Sequence, residues 1–585
     1  MNFWKSFFSS CLGAFVALVV FTLLFVFLLV GLAFSTGEKE IAVADNSVLH
    51  LKLDGVWNEM QEENPFEGLP VPGEVSSIGM LQLKQAIAQA KDDGKIRGIL
   101  LEVSFPATGF ASLDEVRASL LDFKKSGKWV IAYNEVMSEP AYYLSTAADK
   151  IYLNPEGEIE FNGLTIEVGF YKKLLDKLEI KPQIFRVGEY KSAVEPFILD
   201  KMSPENREQL QALVGSIHDH MLNEVSSARG LKMERLREIA NNQLIRNGRD
   251  AVEFGLIDSL MYQDQLDSIL TAELGESRYK DVNLVTLSEY RKSFPALESS
   301  PNEIAVIVAQ GTIVPGEGDP SDGLIASDTF VEEIRKAADS KKVKAIVVRI
   351  NSPGGEFRAS DMMWRAIQMA REKKPVIASM GDYAASGGYY LAMGCDTIVA
   401  QPNTITGSIG IFGMLFDMSG FLGNKLGVTF DEVKTGNYGE MVTVTRPLTE
   451  AEKNFWQKNL EEHYDTFINK AAAGRSAKPE DIRKVASGRV WTGTQAMEHN
   501  LVDKLGGLKD AIEIAAKAAD VTDYRVRYTP RPKGFFQKLL RTGENVREEA
   551  VREELGEMYI WYKQFDKIKH QQGAQALMPF QFNIQ

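Results

Sequence analysis

A chain of 585 residues is too long to fold around one hydrophobic core, so two or more domains are expected. Its 44% hydrophobic and 25% charged residues are those of a globular protein, and its net charge of −14 argues against a nucleic-acid partner. The only cysteines are Cys11, in an apolar run, and Cys395, so the body forms no internal disulfide; neither Cys spacing nor a His cluster points to a metal site.

Residues 11–34, "CLGAFVALVVFTLLFVFLLVGLAF", carry no charge over 24 positions. As a helix rising about 1.5 Å per residue, this run exceeds the roughly 30 Å hydrocarbon core of a bilayer. Lys5 and the terminal amine precede it, and Glu38, Glu40 and Asp45 follow. The positive-inside rule then leaves residues 1–10 in the cytoplasm and exports the rest. A cleaved signal peptide with "AFS" as its cleavage site is the alternative, but the apolar run is long for one. Residues 1–45 are therefore expected to be a cytoplasmic N-terminus and membrane anchor.

Beyond the anchor the chain repeats itself at a spacing near 247 residues. "KIRGILLEV" (95–103) answers "KVKAIVVRI" (342–350), and each follows an amphipathic helical pattern. "YNEVMSEPAYYLSTAADKIYLNPEG" (133–157) parallels "MGDYAASGGYYLAMGCDTIVAQPNT" (380–404), with Tyr142–Tyr143 against Tyr389–Tyr390. "RVGEYKSAVEPF" (186–197) meets "VKTGNYGEMVTV" (433–444), and "FGLID" (254–258) meets "HNLVD" (499–503). Apolar strands alternating with helices predict a parallel α/β fold in each copy. The copies span 46–298 and 299–530. Residues 531–585 have the charged amphipathic pattern of a helical assembly arm.

The two copies differ at the positions that carry chemistry. "GDYAASGGYY" places Ser386 among small residues at a strand-to-helix turn, where the first copy has Glu139. The glycine-rich turn "NSPGG" (351–355) follows an apolar strand, and its N–H groups suit an oxyanion hole; the first copy has "SFPAT" there. The donors expected are the amides of Gly354 and Gly387. Conversely, Lys191 in "GEYKSAVEPF" faces Gly439 in the second copy. A serine hydroxyl needs a base, and a lysine serves if burial brings its pKa from about 10.4 towards neutrality. Glu189 and Glu195 must then point away from it. Ser408 in "TGSIG", 22 residues past Ser386, is placed to orient the amine. Taken singly, Ser386 also reads as a helix cap, Lys191 as a surface lysine and Ser408 as a turn residue; complementary loss between the copies is what joins them. The six histidines are scattered and none has the context of a site, although a triad can recruit distant residues.

"NSPGG", "GDYAASGGYY", "TGSIG" and "EYKSAVEPF", together behind an anchor, resemble the signal peptide peptidase A (protease IV) family of bacterial membrane proteases in its long, double-repeat form. The resemblance implies tandem duplicated ClpP/crotonase-like spiral domains, with one N-terminal transmembrane helix. It implies Ser386 as nucleophile, Lys191 as general base, Ser408 as its orienting partner, and Gly354 and Gly387 at the oxyanion. It further implies a homotetramer on the periplasmic face of the inner membrane, and endoproteolysis of cleaved signal peptides and other apolar peptides, with no metal, nucleotide or other cofactor. A crotonase-type acyl-CoA enzyme and a non-catalytic scaffold binding apolar peptides are the rival readings.

Overall fold

The computed structural model describes residues 43–60, 77–294, 300–530 and 574–578, with residues 7, 12–22 and 24 near the N-terminus. Residues 12–22 and 24 are helical, and among the described residues no helix is long and apolar enough to cross a membrane. The rest of the 11–34 run and residues 531–573, His570 among them, lie outside the described residues.

Strands covered by helices on both faces must be apolar on both faces, and the runs that repeat in sequence have that character. In the first copy a six-stranded, all-parallel sheet runs Asn283–Thr286, Ser47–Lys52, Ile96–Glu102, Trp129–Met137, Lys150–Ile159, Ser259–Leu260. The second copy builds the same order from Arg525–Thr529, Glu303–Gln310, Val343–Ser352, Val376–Ala385, Thr397–Ala400 and Lys504–Leu505, again parallel. Each copy also carries a small second sheet. In the first it is Ser77–Gly79, Gly55–Asn58 and Pro106–Ala107; in the second, Leu324–Ala326, Thr312–Val314 and Gly354–Glu356.

The small sheets then diverge. That of the second copy continues through Ala574–Leu577 and Ile411–Asp417 to Lys181–Val187, a strand from the first copy. The stretch of the second copy that aligns with Lys181–Val187 contains no strand. One expectation is corrected here: residues 574–577, assigned to a helical arm, are a β-strand. "AQAL" is short and uncharged, and two neighbouring strands satisfy its backbone groups.

The copies are also locked by buried polar groups. Arg349 of the second copy is about 1% exposed and lies against Glu59 (2.9 Å) and Glu115 (2.6 Å) of the first, both equally buried. It donates further to Ser379 Oγ and the Met380 carbonyl. Burial would raise the Glu115 carboxyl, but the charges of Arg349 and Lys84 outweigh it and hold it at about 2. In return, Asp382 of the second copy caps the helix Phe110–Lys124 of the first, accepting from the Ser112 amide (2.8 Å) and hydroxyl (2.7 Å).

Replacing Arg349 by methionine leaves the buried Glu59 without its cation and Glu115 with Lys84 alone. Urea denaturation of the Arg349→Met protein at pH 7 is expected to show a loss of about 3–5 kcal/mol. Because Glu115 is depressed in the fold, its share of the wild-type stability is present above about pH 4.5 and is lost as pH falls towards 2. A change under about 1 kcal/mol would show that the ion cluster is not what holds the copies together.

Candidate active site

Ser386 stands between the strand Val376–Ala385 and the helix Gly387–Ala392, with φ 54° and ψ −111°. A non-glycine residue adopts this conformation only under constraint. The constraint is visible: the Ser386 amide donates to the Gly407 carbonyl and the Tyr390 amide to the Ser386 carbonyl, both at 2.8 Å. The small neighbours have a steric reason, since a Cβ on Gly388 would lie 2.6 Å from the Ser352 carbonyl oxygen. The hydroxyl is fully buried.

Lys191 arrives from the other copy. Seven residues of Lys181–Val187 pair antiparallel with Ile411–Asp417, and the chain then turns at Gly188, whose φ is +109°. A Cβ there would lie 2.4 Å from the Ser487 carbonyl oxygen, to which the Tyr190 amide donates at 2.9 Å. Gln209 holds the next residues by donating to the Tyr190 carbonyl and to Ser192 Oγ, 3.0 Å each. The lysine stem runs through a sleeve made by two glycines. A Cβ on Gly488 would sit 2.7 Å from Lys191 Cβ, and one on Gly410 3.2 Å from its Cδ.

The result is a closed polar cluster. Lys191 Nζ lies 2.8 Å from Ser386 Oγ and 3.1 Å from both the hydroxyl and the carbonyl oxygen of Ser408, with all three side chains fully buried. Ser408 is itself at φ 50°, held by its amide's bond to the Arg489 carbonyl at 2.7 Å. Its hydroxyl donates to the Gly488 carbonyl at 3.3 Å and so is left to accept from the lysine. Burial alone drives the Lys191 pKa well below the usual lysine range. Glu195 does not oppose this, because Ser203 and Asn206 occupy its carboxylate, and Glu189 is exposed. A neutral amine has two N–H groups and one lone pair. With both N–H groups taken by Ser408, the lone pair is left for the Ser386 hydroxyl.

Of the two amides expected at the oxyanion, that of Gly387 opens the helix beside Ser386. The Gly354 amide donates to Ser352 Oγ at 3.1 Å. Its place is conformational: at φ +103°, a Cβ on Gly354 would lie 2.1 Å from the Ala576 carbonyl oxygen and 2.7 Å from the Gly387 amide nitrogen. The Met578 amide bonds the Pro353 carbonyl, so by the alternation of an antiparallel ladder the next bonded pair is Gly355–Ala576. The glycine-turn amide turned towards residue 576 is therefore Gly355's. Sequence reasoning also missed Gln209, Gly410 and Gly488. The only trace of the two glycines is the short patterns "SIG" (408–410) and "SGRV" (487–490), too common to mark a site.

The described histidines are engaged elsewhere. His50 meets Glu102 at 3.0 Å, His220 meets Asp114 at 3.6 Å, His463 stacks on Phe357 and His499 lies on Trp491. In the first copy Glu139 occupies the place of Ser386. Burial pushes its carboxyl up to about 7 against the amides of Asn162 and Gly163 that bond it, and His218 stands 3.9 Å away. That half keeps the fold of a site without its nucleophile.

A serine on a strained strand-to-helix turn, facing a buried amine inside a duplicated spiral fold, defines a serine hydrolase of the ClpP-like class. Comparison with known proteins narrows this. The model of peptidase family S49 matches residues 122–275 and 368–522, and that of Clp protease matches residues 323–406. "Protease 4" of Haemophilus influenzae is 36% identical over 90% of both chains. "Protease 4" of Salmonella typhi is 38% identical over 77% of this chain and 73% of its own. "Serine protease SPPA, chloroplastic" of Arabidopsis thaliana is 35% identical over 82% of this chain and 70% of its own. The chain belongs to peptidase family S49, in its double-repeat form, and is a serine protease; the acyl-CoA and scaffold readings fall away.

A lysine with a depressed pKa binds fewer protons folded than unfolded, so its burial costs most at low pH, and stability recovers as pH rises towards 10.5. Each unit of depression corresponds to about 1.4 kcal/mol. The Lys191→Met protein is expected to melt above wild type at pH 6, with the gap closing by pH 10. Calorimetry across that range checks it, and a gap independent of pH would contradict a buried neutral amine.

Proposed function

We propose that this chain is a membrane-anchored serine endopeptidase in which Lys191 is the general base for Ser386 and whose substrates are apolar peptides, foremost signal peptides already cleaved from their preproteins. The observation that carries the reading is the 2.8 Å approach of Lys191 Nζ to Ser386 Oγ, with no carboxylate among the described residues opposing it. Lys191, as free amine, takes the Ser386 proton while Oγ attacks the scissile carbonyl. The oxyanion rests against the Gly387 amide and the glycine turn at Gly354 and Gly355. The lysine then protonates the leaving amine, and water hydrolyses the acyl-enzyme with Lys191 again as base. Ser408 fixes the amine so that its lone pair points at the nucleophile.

The preference for apolar peptides is supported by the apolar cluster of Ile184, Ala193, Val194, Ile198 and Phe412, of which Ala193 and Val194 closely follow Lys191 in the chain. The charge-free run 11–34 supports an anchor in the inner membrane, with the catalytic body on its periplasmic side. Leu426, Phe430, Val433, Tyr438 and Val442 form an exposed apolar segment, which supports assembly of several copies, a tetramer in the family resembled.

The test is hydrolysis of a labelled synthetic signal peptide by detergent-solubilised protein. Ser386→Ala and Lys191→Ala, each verified as folded, are expected to lose at least about 10³-fold in kcat/KM. In the wild type, activity should fall as pH drops through the depressed lysine pKa, because only the free amine is a base. Near-normal turnover by Lys191→Ala would place the base elsewhere.

A further inference from the structure

Lys191 is presented by a very tight turn. Its backbone has φ −77° and ψ 72°, and across it the Ser192 amide donates to the Tyr190 carbonyl at 2.8 Å. This is an inverse γ-turn with the lysine at its centre. One bond closes such a turn, so a small rotation within it carries the far end of a lysine side chain through a wide arc. Both flanks of the turn are held by a single side chain. Gln209, about 1% exposed on the helix Pro204–Arg229, donates through Nε2 to the Tyr190 carbonyl and to Ser192 Oγ at 3.0 Å each, and to Asn206 Oδ1 at 3.1 Å.

The other end of the same carboxamide reaches the second copy, where its oxygen accepts from the Val490 amide at 3.3 Å. That bond fixes the orientation: a backbone N–H can only donate, so the oxygen must meet Val490 and the NH2 group must meet the turn. Val490 opens the strand Val490–Thr492 and stands opposite Gly407 in an antiparallel pair. The Gly407 carbonyl receives the Ser386 amide, and the amide that follows, that of Ser408, donates to the Arg489 carbonyl beside Val490. One buried carboxamide thus ties the turn that carries the amine to the backbone that holds both serines.

We infer that Gln209 is a positioning residue of the proteolytic reaction: by bridging the Lys191 turn and the Val490 strand, it fixes where the amine stands between Ser386 and Ser408. The inference rests on the Ser386/Lys191 reading above. Gln209 acts only through Lys191 and moves no proton itself. Without the clamp the turn opens, the amine regains part of its hydration, and it keeps its proton to higher pH. The charged groups of the elements packed around the turn are engaged or solvated. Glu195 is taken by Ser203 and Asn206 with Arg186 at 3.9 Å, Arg489 pairs with Glu208 and lies over the Tyr190 ring, and Glu189 is exposed. The titration to be read is therefore the lysine's own.

The experiment is the pH dependence of kcat/KM for the labelled signal peptide, measured on the full chain in detergent for wild type, Gln209→Met, Ser192→Ala and Ser216→Ala. Methionine keeps the length of the side chain and removes its bonds. The acid limb of Gln209→Met is expected about one pH unit above that of wild type, a loss of about tenfold below both limbs that closes as pH rises past them. Ser192→Ala removes one of the two bonds to the turn and should move the limb the same way by less. Ser216, on the same helix, meets Thr492 Oγ1 at 2.9 Å and touches the strand without the turn, so Ser216→Ala should keep the wild-type limb. A loss in Gln209→Met that persists undiminished at alkaline pH assigns the residue to the fold alone and overturns the inference, as does an equal displacement in Ser216→Ala. Should Gln209→Met not fold, Ser192→Ala decides, and an unmoved limb there overturns the inference. A wild type with no acid limb overturns the dyad reading and this inference together.

Discussion

Everything at the site depends on one antiparallel pairing, that of Lys181–Val187 with Ile411–Asp417. It is the strand contact through which the first copy enters a sheet of the second, and it sets where the chain stands when it turns at Gly188 towards Lys191. A slip of one residue would turn every side chain to the opposite face. Seven paired residues and the bond from Tyr190 to Ser487 exclude such a slip. The buried ion cluster of Arg349, Glu59 and Glu115 holds the larger bodies together. The pairing converts that docking into a placement good to the length of a hydrogen bond.

Burial then does the electrostatic work. A histidine base needs an orienting carboxylate and tolerates water, whereas a lysine base must be kept dry and away from anions. Gly488 and Gly410 supply the first condition by letting the backbone close on the lysine stem. The second is met because Glu195, close in sequence, spends its lone pairs on Ser203 and Asn206. The strained backbones of Ser386 and Ser408 belong to the same arrangement, since both are pinned by amide bonds that leave their hydroxyls free to turn towards the amine.

What could be read from the amino acids follows from range. The two parallel sheets were legible because their strands are buried on both faces and repeat at constant spacing, so strand order in one copy predicts the other. The turn at Ser386 was legible because a tight turn writes its small residues next to the serine it presents. Lys191 emerged only by subtraction, through what each copy lacks. The glycine sleeve and Gln209 were hidden, because each matters only where distant segments touch. Which glycine-turn amide meets residue 576 was hidden for a related reason: it depends on the alternation of a ladder whose other strand is residues 574–577. Four short residues in a charged tail have no periodicity to announce a strand.

Under the proposed Ser386/Lys191 dyad, its division between copies has a consequence in time. During synthesis the first copy emerges before the second, and until Ile411–Asp417 exists Lys191 has no wall to bury it. In water its amine holds a proton at physiological pH and is no base. Ser386, Ser408 and the residues around Gly488 must also be in place, and the pKa of the amine falls only when all of them close around it. Proteolytic competence is thus the last property the molecule acquires. Under that dyad, a partly made chain is a protease in sequence but not in chemistry.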